Sequence, residues 1–325
     1  MKRRSLWSAV VLAATLAVVW RAPASAQEIP QTVRIVFPFA AGGSGDALAR
    51  LIADKMQASL SRNVIVESRT GGAGRIGVLA VRNAAPDGAT LLITPIAPVA
   101  VYQHTYKSLD YDPINDFAPL SQVATFDFGI AVNPQLGVSS LKELVAWCKA
   151  NPAKANFGIP ATGSLPHFLG IMLGRAAGID LKQVAYRGSA AALADLVAGH
   201  IPMMVTTTSD LVQNHKAGKI RMLATSDKQR SPFVPGVPTF REAGYDLQAT
   251  SWYAMFAPAK TPHDIVERYS KAIAAAVQAP DVGAKLRSFG LTPTGTTAAE
   301  LARIQKDDSA LWAPAVKASG FTAQP

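Results

Sequence analysis

The sequence predicts an α/β fold with two lobes, a hinge and a cleft between them. Short apolar runs alternate with segments of helical periodicity along most of the chain, which is typical of layered α/β proteins. The alternation is interrupted twice, around residues 122–130 and by the proline-rich segment 231–240. Glycine-rich turns follow several of the predicted strands, at positions where a helix N-terminus can face a ligand.

Strands are predicted where a short, mostly apolar run is bounded by polar or turn-forming residues. These runs are 33–37, 63–67, 90–94, 128–132, 155–159, 184–186, 203–207 and 222–226, with one more within 251–262. Strands that are apolar on both faces are covered by helices on both sides of a sheet. We therefore expect sheets that are largely parallel.

Helices are predicted between the strands from the spacing of apolar residues. The apolar residues of 47–60 form one helical stripe, consisting of Leu48, Leu51, Ile52, Met56 and Leu60. The segment 140–150 opens with Ser140 and Glu143, which have the spacing of a capping box. Three helices are expected towards the C-terminus, near 262–278, 281–289 and 298–312.

The two interruptions define the lobes. One series of strand–helix units ends near 122–130, and the connector 231–240 contains three prolines and a glycine. We predict that 27–125 and 249–325 form the first lobe and that 126–248 forms the second. Lobes joined by crossing strands can close about a hinge on a molecule in the cleft.

The first 26 residues are predicted to be a cleavable signal peptide. Basic residues 2–4 precede an uncharged apolar stretch, 6–19, that is too short to span a membrane comfortably. The small residues 24–26 then offer a cleavage site before Gln27. An uncleaved anchor is the alternative, but no stop-transfer pattern follows. The mature chain is therefore predicted to be periplasmic and without a membrane span.

Composition narrows the function classes further. Removal of the leader, with its four basic residues and no acidic ones, lowers the formal net charge from +10 to +6. This modest excess favours anionic partners, but it forms no basic block of the kind that binds nucleic acid. The single cysteine, Cys148, excludes an intrachain disulfide and lies in a helical pattern typical of a packed, inert thiol.

The segment 38–46, PFAAGGSGD, joins the first strand to the first helix. Its glycines allow positive φ and a close approach of the backbone to a ligand. The helix N-terminus supplies N–H groups and the positive end of a dipole, and Ser44 or Asp46 can cap it. The turn alone fits a nucleotide phosphate, a carboxylate or a simple helix cap. Its candidate binding residues are Pro38, Phe39, Ala40, Ala41, Gly42, Gly43, Ser44 and Asp46.

Two further turns follow the same plan. In 155–178 a strand ends, Gly163 and Ser164 turn the chain, and Pro166 stands where a helix begins. In 184–200 a strand is followed by Tyr186, Arg187 and Gly188 and then by a helix. Helix starts opposed across the cleft would clamp a molecule with one or two carboxylates. The candidates in these two turns are Ala161, Thr162, Gly163, Ser164, His167, Tyr186, Arg187 and Gly188. Thr94, at the end of the predicted strand 90–94, is a further candidate.

Catalytic and cofactor motifs are incomplete. Gly72, Gly74 and Gly77 match a dinucleotide-binding pattern, but the acidic residue expected after the next strand is missing, so these glycines are predicted to shape a loop at the cleft mouth. Ser139 and Lys142 match S-x-x-K within a helix-capping sequence, and G-x-S-x-G is absent. The histidines show no metal-ligand spacing. We predict no catalytic residue, metal or cofactor.

An ordered set of motifs resembles one family. IVFPFAAGGSGDALAR, TGGAGRIG, LDYDPINDFAPL, GSLPHFLG, YRGSAAALADLVAGHIPMM, GVPTFREAGY and SWYAMFAPAKTP occur in this order and span essentially the whole mature chain. Together they resemble the Bug-type receptors, which are the periplasmic substrate-binding proteins of tripartite tricarboxylate transporters.

The resemblance implies a type II, Venus-flytrap periplasmic binding fold that closes on a small organic acid. It implies that the loops at 39–46 and 163–167 grip a carboxylate through backbone amides and ordered water. It places 186–188 and Asp195 near that site or in support of it. It further implies a monomeric receptor that delivers its ligand to the membrane subunits of a secondary transporter.

One departure bears on the ligand. This chain has Ile159, Pro160 and Ala161 where many family members have small polar residues and a glycine, so the second loop is expected to be stiffer and less polar. The ligand is expected to be a di-, tri- or aromatic carboxylate. The departure in the second loop makes an apolar or aromatic ligand body the hypothesis to test. A sensory carboxylate receptor and an exported hydrolase are the alternative functions.

Overall fold

The computed structural model describes residues 28–323, and the predicted signal peptide lies outside them. The strands are β1 (Thr32–Phe37), β2 (Asn63–Ser68), β3 (Thr90–Pro95), β4 (Phe117–Val132), β5 (Asn156–Ile159), β6 (Lys182–Ala185), β7 (Met203–Thr207), β8 (Arg221–Thr225), β9 (Thr250–Pro258) and β10 (Thr292–Pro293). Each strand predicted from the sequence is present at its expected place.

The helices lie between these strands and after them. They are α1 (Ser44–Leu60), α2 (Arg75–Arg82), α3 (Tyr102–Thr105), α4 (Leu141–Ala150), α5 (Leu165–Ala177), α6 (Ser189–Ala198), α7 (Thr208–Lys216), α8 (His263–Gln278), α9 (Pro280–Ser288) and α10 (Ala298–Ala318). None of these helices is both long enough and apolar enough to cross a bilayer.

The strands form two half-sheets that meet in the middle. Their order is β2-β1-β3-β9-β4-β7-β5-β6, with β8 and β10 also paired to β4. Pairing is parallel around β1 and around β5. It is antiparallel where β9 joins β3 to β4 and where β4 joins β7 and β8. The prediction of largely parallel sheets is therefore wrong for the centre, where β9 re-enters the first half-sheet in the opposite direction.

Strand β4 belongs to both half-sheets. Its residues 117–127 pair with β9, whereas 128–132 pair with β7 and, from Gly129, with β8. The sequence predicted only the last five residues, because Pro119 and the polar Ser121 and Gln122 interrupt the apolar pattern. The register shifts around these residues accommodate Pro119, which cannot donate a ladder hydrogen bond. The lobe boundaries drawn from the sequence stay a prediction.

The core lies between the sheets and the helices that cover them. In α1, Leu48, Ile52 and Met56 are fully buried, which confirms the inner part of the predicted stripe. They pack over β1 and β3, whose Ile35 and Leu91 are equally buried. Burial of each such side chain stabilises the fold by roughly 1.5–3 kcal/mol. The packing fixes α1 so that its N-terminus stays at the end of β1.

Helix α4 explains two other sequence features. The Ser140 hydroxyl accepts the Glu143 N–H at 3.2 Å, but the Glu143 carboxylate accepts from the N–H and hydroxyl of Ser139, at 2.7 and 2.9 Å. Ser139 of the S-x-x-K pattern is thus a capping residue. Cys148 is buried in the same helix, and burial raises the pKa of its thiol to about 11. Neither residue is arranged as a nucleophile.

Candidate functional site

The first loop connects β1 to α1 and is closed by Asp46. Gly42 has a positive φ of 96°, and its N–H donates to the Asp46 carboxylate at 3.1 Å. Arg50 donates to both oxygens of that carboxylate, which is buried. Asp46 therefore holds the turn and points away from the cleft. The N-cap position belongs to Gly43 and carries no side-chain cap, so the prediction that Ser44 or Asp46 caps the helix is wrong.

Gly45 sets the position of α1 against the cleft wall. A Cβ at this residue would lie 2.7 Å from the Phe37 ring and 2.9 Å from the Tyr253 hydroxyl. Contacts this short do not occur in folded proteins, so a side chain would push the helix start away. The absence of a side chain lets the first turn of α1 lie directly on these two aromatic residues.

The second loop connects β5 to α5 and is held by His167. Gly163 has a positive φ of 75°, and its N–H donates to His167 Nδ1 at 3.1 Å. The Ser164 hydroxyl donates to the Ala161 carbonyl at 2.7 Å. The imidazole is buried and packs edge-on against Phe321, with ring centroids 4.5 Å apart. His167 orients the loop from behind and does not line the cleft.

We expect the contribution of His167 to stability to weaken as the pH falls. Burial lowers the pKa of His167 to about 4, whereas a histidine in an unfolded chain titrates near about 6.5. The unfolded chain therefore gains a proton first. The stabilisation is complete above about pH 6.5 and falls by up to ~3 kcal/mol as the pH drops through about 4.

Denaturant unfolding of the wild type and of His167→Gln across this pH window measures the effect. The difference between their free energies of unfolding should shrink steadily towards acid. Asp127, whose pKa burial raises to about 7, shifts stability in the opposite direction but is common to both proteins, so it cancels in the difference. A difference that is independent of pH would contradict a neutral, loop-holding His167.

The third loop, between β6 and α6, joins the two halves of the molecule. The Ala40 N–H donates to the Arg187 carbonyl at 3.0 Å, across the cleft. Gly188 has a positive φ of 127°, and a Cβ there would lie 3.2 Å from the Ala40 nitrogen. The Tyr186 hydroxyl donates to Asp195 at 2.7 Å. The backbone of this loop faces the cleft, while the side chains of Tyr186, Arg187 and Asp195 do not line it.

A fourth contribution to the site, the junction where β7 runs directly into α7, was missed from the sequence. The Asp210 carboxylate accepts the Ser44 N–H at 2.8 Å and the Thr207 hydroxyl at 2.7 Å. The Ser209 hydroxyl donates to the Ser44 hydroxyl at 2.8 Å. The starts of α1 and α7 are thus tied together. The polar run 206–210, which follows an apolar run, was the sequence signal for this junction.

The three loops and the β7–α7 junction together line one cavity. Residues in the first turns of α1, α5, α6 and α7 line it. Residues predicted from the sequence that line it are Phe39, Ala40, Gly43, Ser44, Ala161, Ser164 and Gly188. Two opposed glycine turns therefore share a cavity, as expected.

The other residues predicted from the sequence do not line the cavity. The Thr94 hydroxyl bonds to the Pro95 carbonyl, and the Thr162 carbonyl accepts from Tyr106. Pro38 packs against Gly77, and Ala41 is exposed. These residues, like Gly42, Asp46, Gly163, His167, Tyr186, Arg187 and Asp195, do not line the cavity. Gly72, predicted to shape the cleft mouth, lines a separate cavity with Tyr106 and Phe321.

Part of the remaining wall is aromatic and is called the aromatic floor below; it consists of Phe37, Phe126, Phe128 and Tyr253. Phe126 and Phe128, on one face of β4, form an edge-to-face pair with centroids 5.6 Å apart. The ring centroid of Tyr253, in β9, lies 4.7 Å from that of Phe126. Burial and the nearby Asp210 charge raise the pKa of Tyr253 well above its usual range, so its hydroxyl stays protonated. The aromatic floor and the nearby helix N-termini together suit a ligand with an apolar body and a charged head group.

The charge of the wall comes from helix ends and one acid. No lysine, arginine or histidine within residues 28–323 lines the cavity, and Asp210 is its charged side chain. Each helix N-terminus carries roughly half a positive charge. Within the same residues, no group of three or more histidine, cysteine, aspartate or glutamate side chains comes together as a metal site. The electrostatics of the cavity are therefore set by helix N-termini and one carboxylate.

The two half-sheets and their shared cleft define a two-lobed, periplasmic-type solute-binding protein. The family model described as "Tripartite tricarboxylate transporter family receptor" matches residues 48–321. The chain belongs to this family, as its motifs predicted. Its relative BugT, from Bordetella pertussis, is 33% identical over 302 residues, which are 92% of this chain and 93% of BugT.

Two solved structures share the fold over almost their whole length. Rpa4515 from R. palustris, solved with adipate, has a TM-score of 0.86 and 29% identity and covers 90% of this chain and 98% of its own. MatC from Rhodopseudomonas palustris, solved with bound malate, has a TM-score of 0.83 and 29% identity over 88% of this chain and 98% of its own. The family and its structural neighbours are binding receptors.

Proposed function

We propose that this chain is an extracytoplasmic receptor that captures a small organic carboxylate in the cleft and delivers it to a tripartite transporter. The observation that carries the proposal is the convergence of four helix N-termini on one cavity without a cationic side chain. Backbone N–H groups at helix ends bind carboxylates with charge-assisted hydrogen bonds of about 1.5–3 kcal/mol each. Several of these support micromolar binding after association costs.

Export and the transporter partner are parts of the same proposal. The signal peptide predicted for 1–26 provides the route to the periplasm. The family match supports handover to membrane subunits, and the neighbours solved with adipate and malate support an organic acid as the ligand. The protein acts by binding and release, with no chemical step on its ligand.

The aromatic floor supports acids with an apolar or aromatic body as the ligands. Ala161 and Pro160 of the second loop line the cavity together with Phe126 and Phe128. These side chains offer no hydrogen bond to a polar ligand body. A second polar group held against them would lose its water without a replacement.

We expect such acids to raise the melting temperature of the mature protein in a concentration-dependent way. At a hundredfold excess over Kd, a ligand stabilises the folded state by ~2.7 kcal/mol, which shifts the melting temperature by several degrees. A thermal-shift screen of aliphatic and aromatic acids, each paired with its amide, measures this. The amides, which lack the charge, should have little effect.

Equal shifts by acids and amides would contradict a carboxylate site, and no shift by any acid at millimolar concentration would contradict the receptor assignment. Delivery is tested by uptake of the identified acid in cells. Deletion of the gene should abolish high-affinity uptake. If uptake persists while a transcriptional response to the acid is lost, the sensory alternative replaces transport.

A further inference from the structure

Asp210 places a fixed negative charge inside a cleft built for anions. Its Oδ1 accepts the Ser44 N–H at 2.8 Å, so it occupies one donor at the N-terminus of α1. Its Oδ2 accepts hydrogen bonds from the hydroxyls of Thr207, at 2.7 Å, and Thr206, at 3.3 Å. These bonds hold the half-buried carboxylate at the wall of the cavity, where it also borders a second, more open cavity.

The balance of charge in the cleft then differs from that of a purely positive site. The N-termini of α1, α5, α6 and α7 together contribute about two positive charges, at roughly half a charge for each helix. Asp210 cancels about one of them. What remains neutralises one ligand carboxylate, and a second would face the aromatic floor without a counter-charge.

The neighbouring donors do not change this balance. The Tyr253 hydroxyl and the hydroxyls of Ser44, Ser189 and Ser251 are neutral groups on the same wall, and the buried Ser251 hydroxyl has no partner within residues 28–323. They can accept or donate hydrogen bonds but cannot offset a full charge. The Ser189 hydroxyl already lies 2.9 Å from the Thr206 hydroxyl, and the Ser44 hydroxyl accepts from Ser209.

We propose that Asp210 is a specificity-determining residue that restricts the cleft to monocarboxylates with an apolar body and disfavours dicarboxylates. This inference rests on the proposed carboxylate-binding function and names the ligand class within it. It also separates this chain from the neighbours solved with adipate and malate, which are dicarboxylates.

Matched ligand pairs test the inference because they differ by one charge at nearly constant shape. We choose adipate with its monomethyl ester, and benzene-1,4-dicarboxylate with its monomethyl ester. Calorimetry on the wild type should show each monoester binding at least tenfold more tightly than its diacid. In Asp210→Asn, which keeps the size of the side chain, the preference should fall by at least tenfold.

Asp246→Asn is the matched control, since Asp246 pairs with Arg241 on the surface and lies outside the cleft. It should retain the wild-type preference. Each preference is a ratio measured within one protein, so a lower folded fraction in a variant does not affect it. Asp210→Ser provides a second variant with a smaller side chain.

The outcomes separate the two proposals. Tighter binding of the diacids by the wild type, or a preference that Asp210→Asn leaves unchanged, would overturn the role of Asp210 while the carboxylate receptor stands. If no acid of the screen or of these pairs binds, the receptor function falls and the assignment of Asp210 falls with it.

Discussion

Replacement of Gly43 with valine is expected to abolish ligand binding in a protein that still folds. Gly43 has φ −87° and ψ 174°, an extended conformation that valine adopts readily. A Cβ there would lie 3.4 Å from the Asp210 carboxylate, and the two methyl groups beyond it would enter the cleft. They would cover the N–H groups at the start of α1. Loss of two charge-assisted bonds of about 1.5–3 kcal/mol each weakens binding by at least about 100-fold.

Calorimetry with the acid found in the thermal-shift screen measures this loss, and the melting temperature of the free variant reports folding. Gly43→Ala is the matched control, because its single methyl group stops at ordinary contact distance from Asp210. It should retain most of the affinity. Wild-type affinity in Gly43→Val would show that the ligand does not use the α1 N-terminus.

Replacement of Gly170 with valine is expected to cost several kcal/mol of folding free energy or to prevent folding. Gly170 lies in α5, where a Cβ would fall 2.1 and 2.3 Å from two atoms of the Phe157 ring. The ring is fully buried in β5 and has no free space to move into. Overpacking of cores costs typically 1–3 kcal/mol and more where the neighbour cannot shift.

Denaturant unfolding of the variant gives the change in free energy directly. Gly236→Val is the control, since no atom lies within 4 Å of its added Cβ and its φ is unexceptional. Its free energy of unfolding should be close to that of the wild type. A fully stable Gly170→Val would mean that α5 packs on β5 less closely than this structure shows, and the position of the second loop would have to be revised.

Local signals in the sequence were sufficient to predict the loops but not all the residues of the wall. The turn at Gly42–Ser44 and the turn at Gly163–Ser164 were predicted because glycine spacing, strand ends and helix starts are all set within about ten residues. Their meeting in one cavity followed from the expected two-lobed fold. Asp46 and His167 lie in the predicted loops, but their side chains hold the loops from behind and do not line the cavity.

The residues that were missed depend on distant contacts. Asp210 reaches Ser44 across 166 positions, and nothing near Asp210 in the sequence indicates this partner. Phe126 and Phe128 lie in the segment that the sequence marked as a break between units. Their alternation was a signal of one strand face, but only the crossing of β4 through both half-sheets turns that face into the cavity floor.

The continuity of β4 also constrains how receptors of this architecture can diversify. Pairing changes from β9 to β7 between Asp127 and Phe128, so one uninterrupted strand completes both half-sheets. Recombination that exchanged whole halves between relatives would cut this strand and leave unpaired edges on both products. Substitutions in the loops leave the shared strand intact. We therefore expect ligand preference to change by substitutions at the helix starts rather than by exchange of whole half-sheets.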